Sequence, residues 1–129
     1  YTNSTHLMNG AVIPPLKKID MEGRFHPFLK GDAVTHFWLG DSEPPVKDLE
    51  KFLVRAYRKT RSRQVIFSPE FTTCLTCGQT VRGLKSVCPV CGSQEVEGIA
   101  RIAQYFSRIS GWNRGKLAEL RDRYHETSF

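Results

Sequence analysis

The sequence predicts an α/β chain: a strand–helix–strand unit, then a four-cysteine zinc ribbon, then a loop and a terminal helix. Three observations carry this. A β-favouring apolar run, Ala33 to Leu39, lies between the turn signals Gly31-Asp32 and Gly40-Asp41. A stripe at helical spacing follows, and then a second short apolar run, Gln64 to Phe67. All four cysteines fall in two CxxC pairs separated by ten residues.

Residues 1–15 have no clean period, and Pro14-Pro15 punctuates them, so extended chain and loops are expected. In the first strand Val34, Thr35, Phe37, Trp38 and Leu39 leave both faces largely apolar, which suits a strand covered on both sides. His36 lies within it and is expected to be buried. The helix should start after a cap at Asp41 or Ser42, with Pro44 and Pro45 in its first turn. Val46, Leu49, Phe52, Leu53, Ala56 and Tyr57 form its apolar stripe, opposite Lys47, Glu50, Lys51, Arg55 and Arg58. Strand, helix and strand in this order make a βαβ unit, whose strands pair in parallel through a crossover. One such unit cannot close a parallel sheet, so it should lack neighbours. Residues 99–110 show no strong period. The last element reads as a helix over residues 114–124, capped by Asn113, with Leu117, Leu120 and Tyr124 on its apolar face.

Composition sets limits. Hydrophobic residues make up 40% and charged residues 25%, ordinary for a soluble globular chain. No apolar run approaches the roughly 18 residues of a membrane span. The opening does not read as a secretory leader, and a cytoplasmic location is expected. Residue 1 is Tyr rather than Met, so a piece of a longer protein is expected. The net charge of +6 fits either a phosphate-bearing partner or a solvated surface.

The cysteines carry the sharpest signal. In Cys74-Leu-Thr-Cys77-Gly78 and Cys88-Pro-Val-Cys91-Gly92, two intervening residues let a tight turn aim both sulfurs at one point. The glycine after each pair admits the backbone conformation that such a turn needs. Two disulfides would require an oxidising compartment, and a redox CxxC normally stands as a single pair. An iron–sulfur cluster also takes four cysteines, but paired glycine-backed knuckles favour Zn2+. With four sulfur ligands, Cys74, Cys77, Cys88 and Cys91, the site should be closed and structural. Taken alone, such a ribbon suits a stand-alone module that binds nucleic acid or docks on a partner protein.

Other segments resemble the anaerobic, class III ribonucleotide reductases. They are Tyr1-Thr-Asn-Ser-Thr-His-Leu7, Glu22-Gly-Arg-Phe-His-Pro27 and Gly31-Asp-Ala-Val-Thr-His-Phe-Trp-Leu-Gly40, then Arg101-Ile-Ala-Gln-Tyr105, Gly111-Trp-Asn-Arg-Gly-Lys116 and Glu119-Leu-Arg-Asp-Arg123. With the CxxC pairs they look like that family's C-terminal region in the same order. The resemblance implies the C-terminal part of a ten-stranded α/β barrel over residues 1–70, a zinc ribbon over 71–98, and a radical-site-like loop and helix over 99–129. It implies reduction of ribonucleoside triphosphates to deoxyribonucleotides, for DNA synthesis. A glycyl radical on the C-terminal loop would pass to a barrel cysteine, whose thiyl attacks the ribose. The implied partners are the rest of the reductase chain, the ribonucleotide substrate, a radical-SAM activating enzyme and a second copy in a homodimer.

At the family's radical-glycine position this chain has Gln104. A glycyl radical persists because an unsubstituted α-carbon can flatten and share its electron with the flanking amides, and a side chain crowds that form. Four readings stand: a deliberate substitution that disables the radical; a relative drawing its thiyl radical from another cofactor, such as adenosylcobalamin; an inactive remnant; or a register with the radical at Gly98 or Gly111, each more simply a turn glycine. By this resemblance Tyr105 would pack inside the barrel, Arg101 would meet a phosphate or hold the loop by a salt bridge, and Asn3, Ser4 and Thr5 would line the active site or simply form polar turns. No cysteine is left over to carry the thiyl, so this segment alone should be inert.

Overall fold

The computed structural model describes residues 6–129. The expectations for Tyr1 to Thr5, including active-site roles for Asn3, Ser4 and Thr5, lie outside the described residues. The βαβ unit forms as expected. Strand β1 (Thr35–Gly40) and strand β2 (Val65–Pro69) pair in parallel, in register from Thr35–Val65 to Phe37–Phe67. Every residue of β1 is buried, in keeping with its two apolar faces. Phe37 points to one side, into a core of Ile19, Phe52 and Ala56 with Leu53, Phe67 and Phe129 packed against it. His36 and Trp38 point to the other side and line a small pocket with Arg123. Among the described residues the parallel sheet has two strands.

The crossover helix α2 (Val46–Lys59) buries Phe52 and Ala56, while Val46 and Tyr57 at the ends of the stripe stay exposed. The expected side-chain cap from Asp41 or Ser42 is not made. Pro45 takes the N-cap position, and its carbonyl accepts from the amides of Asp48 and Leu49 at 2.9 and 3.1 Å. A helix that the sequence reading left unassigned, α1 (Pro15–Gly23), starts on a proline and packs Leu16 and Ile19 into the same core.

A second sheet, antiparallel in the order β4–β3–β5–β6, holds the cysteine module. Its strands are β3 (Phe71–Cys74), β4 (Thr80–Arg82), β5 (Val96–Ile102) and β6 (Tyr105–Arg108). Residues 99–110 are therefore not an aperiodic loop: most of them form the β5–β6 hairpin. The turn is only Ala103-Gln104, between the closing pair Ile102–Tyr105. Gly98 is no turn glycine but a strand residue, where a Cβ would come within 2.8 Å of Ile109 Cδ1. Glu70 alone separates β2 from β3, so the two sheets meet at one residue. Helix α3 (Arg114–Arg121) has the expected cap, with Asn113 Oδ1 accepting from the Lys116 amide at 2.9 Å. It is shorter than expected, and its buried residue is Glu119; Leu117 and Leu120 are only half-buried.

Candidate metal centre

Each CxxC pair closes a knuckle of the same form. In the first, the Gly78 amide donates to the Cys74 carbonyl at 3.0 Å and the Cys77 amide points to Cys74 Sγ at 3.5 Å. In the second, the Gly92 amide donates to the Cys88 carbonyl at 2.9 Å and the Val90 amide points to Cys88 Sγ at 3.4 Å. Gly78 and Gly92 have φ of 72° and 76°, a region costly for any residue with a Cβ. The β3–β4 pairing and the bond from the Leu75 amide to the Glu95 carbonyl at 2.8 Å bring the two knuckles together.

All four sulfurs lie within 4.8 Å of one another. Cys74 Sγ stands 3.6 Å from Cys91 Sγ, and Cys77 Sγ stands 3.8 Å from Cys88 Sγ. Four sulfurs each about 2.3 Å from a tetrahedral zinc ion would stand about 3.8 Å apart, so the cluster has the size that zinc requires. Cys74 and Cys88 are buried, while Cys77 and Cys91 face outward. The Cys77 amide holds the Cys74 thiol down to about 6. For Cys91 the Ser93 amide pulls downward, but the Cys74 and Cys77 sulfurs outweigh it and push the thiol up to about 12. Four thiolates this close cannot all ionise without a cation among them. The donor set thus fits a closed, structural Zn2+ site held by Cys74, Cys77, Cys88 and Cys91. Among the described residues no other group of His, Cys, Asp or Glu could hold a metal.

Gln104 lies at the tip of the β5–β6 hairpin, about as far along the ribbon sheet from the cysteines as β5 extends. Ala103 beside it has φ of 50°, alone among the described non-glycine residues in being positive. Gln104 and Tyr105 are exposed, so Tyr105 is not packed within this segment. Among the described residues Arg101 makes no salt bridge. It donates to the Gln104 carbonyl at 3.3 Å across the turn, and its guanidinium lies 4.6 Å from the Phe106 ring. Trp38, Trp112 and His36 are buried, as structural residues should be. His26 is buried too, its Nδ1 accepting from the Arg63 amide at 3.1 Å.

The sequence reading missed a charged cluster on the pocket side of β1. Arg123 is buried with Glu70 and Glu119. The i, i+4 spacing of Glu119 and Arg123 was the one local signal for it; the contact with Glu70 is set by the fold.

The family model for anaerobic ribonucleoside-triphosphate reductase matches residues 1–125. A solved structure of an anaerobic ribonucleotide reductase superposes with a TM-score of 0.67 at 22% identity, covering 88% of this chain and 18% of that one. No curated protein matches. At that identity the superposition shows a shared fold, and the chain spans under a fifth of that structure's length. No helix among the described residues is long and apolar enough to cross a membrane. The match over residues 1–125 takes in the βαβ unit, the ribbon and the hairpin together, and the chain belongs to the anaerobic ribonucleoside-triphosphate reductase family.

Proposed function

We propose that this chain is the C-terminal part of a ribonucleotide reductase that converts ribonucleoside triphosphates to deoxyribonucleotides by radical chemistry. The observation that carries the reading is the family match across residues 1–125, which includes the βαβ unit as well as the cysteines. A free-standing ribbon for nucleic acid or a docking partner would account for the cysteines alone. In this reading the zinc supplies no redox chemistry. It cross-links the knuckles and makes the β4–β3–β5–β6 sheet a rigid stem. The stem holds the Ala103–Gln104 turn out toward the rest of the reductase, where Tyr105 and Phe106 would be covered.

Gln104 stands where the family carries its radical glycine. Its side chain crowds the planar α-carbon radical, so the hairpin acts here by shape and hydrogen bonding rather than as a radical store. All four cysteines of this segment are in the metal cluster. The thiyl that attacks the ribose therefore comes from a cysteine elsewhere in the reductase. In this reading its radical comes from a source other than residue 104, such as adenosylcobalamin bound outside this segment. A radical-SAM activating enzyme would find no glycine at residue 104 to act on.

The test is association. The chain, loaded with zinc, is mixed with the upstream segment of the reductase and analysed by sizing and light scattering. A stable one-to-one complex, protecting Tyr105 and Phe106 from hydrogen exchange, is expected. Absence of any complex would overturn the reading.

A further inference from the structure

We infer that Arg123 is a positioning residue that fixes the Ala103–Gln104 turn relative to β1 and the ribbon. In its consequence for reduction, the inference rests on the function proposed above. The hairpin leaves one strand edge unpaired. β3 pairs with β5 only as far as Ile99, while β5 runs on to Ile102. The carbonyl of Arg101, on the edge that β3 has left, has no strand to bond. Arg123 Nη2 donates to it at 3.0 Å.

The guanidinium that makes this bond is itself held on every side. Its Nε and Nη2 donate to the two carboxylate oxygens of Glu119 at 3.0 and 3.1 Å. Nη1 donates to Glu70 Oε1 at 3.4 Å. Two indoles lie against it, with Cζ 3.6 Å from the Trp38 ring centroid and 5.5 Å from that of Trp112. Trp112 in turn donates from Nε1 to Ser107 Oγ on β6 at 2.7 Å. Both strands of the hairpin are thus tied to one buried group: β5 through the Arg101 carbonyl, β6 through Ser107 and Trp112. That group is anchored to β1 by Trp38, to the β2–β3 corner by Glu70 and to α3 by Glu119.

Without such a tie a two-stranded extension with a two-residue turn would swing about Ile99. An ordinary buried ion pair would need only the carboxylates. Here the planar fork is shared between carboxylates and a backbone carbonyl, a geometry that a lysine, with one point-like ammonium, cannot reproduce.

The experiment is hydrogen exchange by mass spectrometry on the natural-length protein, comparing Arg123→Lys and Trp112→Phe with the parent. For Arg123→Lys the expected result is at least tenfold faster exchange across residues 101–106, with residues 71–97 and the zinc content unchanged. Trp112→Phe removes the bond to Ser107 and weakens the ring's contact with the Arg123 guanidinium while leaving Arg123 itself in place; it should speed exchange severalfold at residues 105–108. Unchanged exchange at 101–108 in both variants would overturn the inference. So would an equal rise in 71–97 and 101–108 in both, which is a general loss of stability. Where the protein reduces ribonucleotides, Arg123→Lys should lower kcat at least tenfold with little change in KM. A protein that makes no deoxyribonucleotide leaves the exchange result standing and removes only the proposed function.

Discussion

The ring of Phe129 meets that of Phe37 edge-on, with the centroids 5.4 Å apart. Phe52 and Phe67 complete the group, each 5.1 Å from Phe129. The segment that delivers Phe129 runs along β1, where the Glu126 amide donates to the Trp38 carbonyl at 2.7 Å. Phe129→Ala removes a partly buried ring from this aromatic group. It should cost about 2 kcal/mol, below the full range for a wholly buried phenylalanine. Urea unfolding measures this, and the zinc content should not change, because the cysteines lie in the other sheet.

The ribbon should depend on its metal. One zinc per chain is expected by elemental analysis. Cys88→Ser should abolish stoichiometric zinc, because it leaves three ligands and an open coordination position. Since metal binding is folding energy in such modules, on the order of 10 kcal/mol, residues 71–97 should lose amide protection in that variant. A chelator should do the same to the parent protein, reversibly on adding zinc back.

Ala103 carries a positive φ at the first position of a two-residue hairpin turn, where glycine is favoured. Ala103→Gly should therefore be neutral or stabilising, by up to about 1 kcal/mol. Ala103→Val should destabilise by about 1–2 kcal/mol, because a branched Cβ is worse placed there. Thermal unfolding of the two variants side by side distinguishes them.

Two histidines around β1 should titrate in opposite directions. Burial, with help from the positive charges of His6, Arg101 and Arg123, pushes His36 down to about 3. The unfolded chain takes up that proton near pH 6.5, so His36 makes stability fall as pH drops from about 6.5 toward 3. His125 is raised, chiefly by its hydrogen bond to Glu70 and against the cost of burial. Its contribution is fully present below about pH 6.5 and is lost as pH rises through the raised value. In an NMR titration of the imidazoles His36 should still be neutral at pH 5, and His125 should have its midpoint above 6.5. Glu70→Gln should return His125 toward 6.5. Two midpoints near 6.5 in the parent protein would contradict the packing described for both.

Much of this was legible in the sequence because it is local. The two knuckles, the Asn113 cap and the parallel βαβ unit each follow from residues a few positions apart or from a simple period. The β5–β6 hairpin was not legible, because Ala103-Gln104 carries none of the Asn-Gly or Gly-rich signals of a two-residue turn. Helix α1 was missed because it is nine residues long, has no side-chain cap and contributes one fully buried side chain from its apolar face. The Asp41 and Ser42 cap failed because Pro44 and Pro45 hold the chain extended up to the first helical residue. The Arg123 cluster joins Glu70, Arg101 and Glu119, and no sequence period reports a contact set by the meeting of two sheets.

The most direct measurement is anaerobic reduction of ribonucleoside triphosphates by the natural-length protein, with the product followed by chromatography. It is run on the parent and on a version lacking the hairpin residues 102–105. The account predicts deoxyribonucleotide from the parent with no glycyl-radical signal in its EPR spectrum, and none from the deleted version with its zinc still bound. No deoxyribonucleotide from the zinc-loaded parent under any radical source, adenosylcobalamin included, would contradict it, as would full activity in the version without the hairpin.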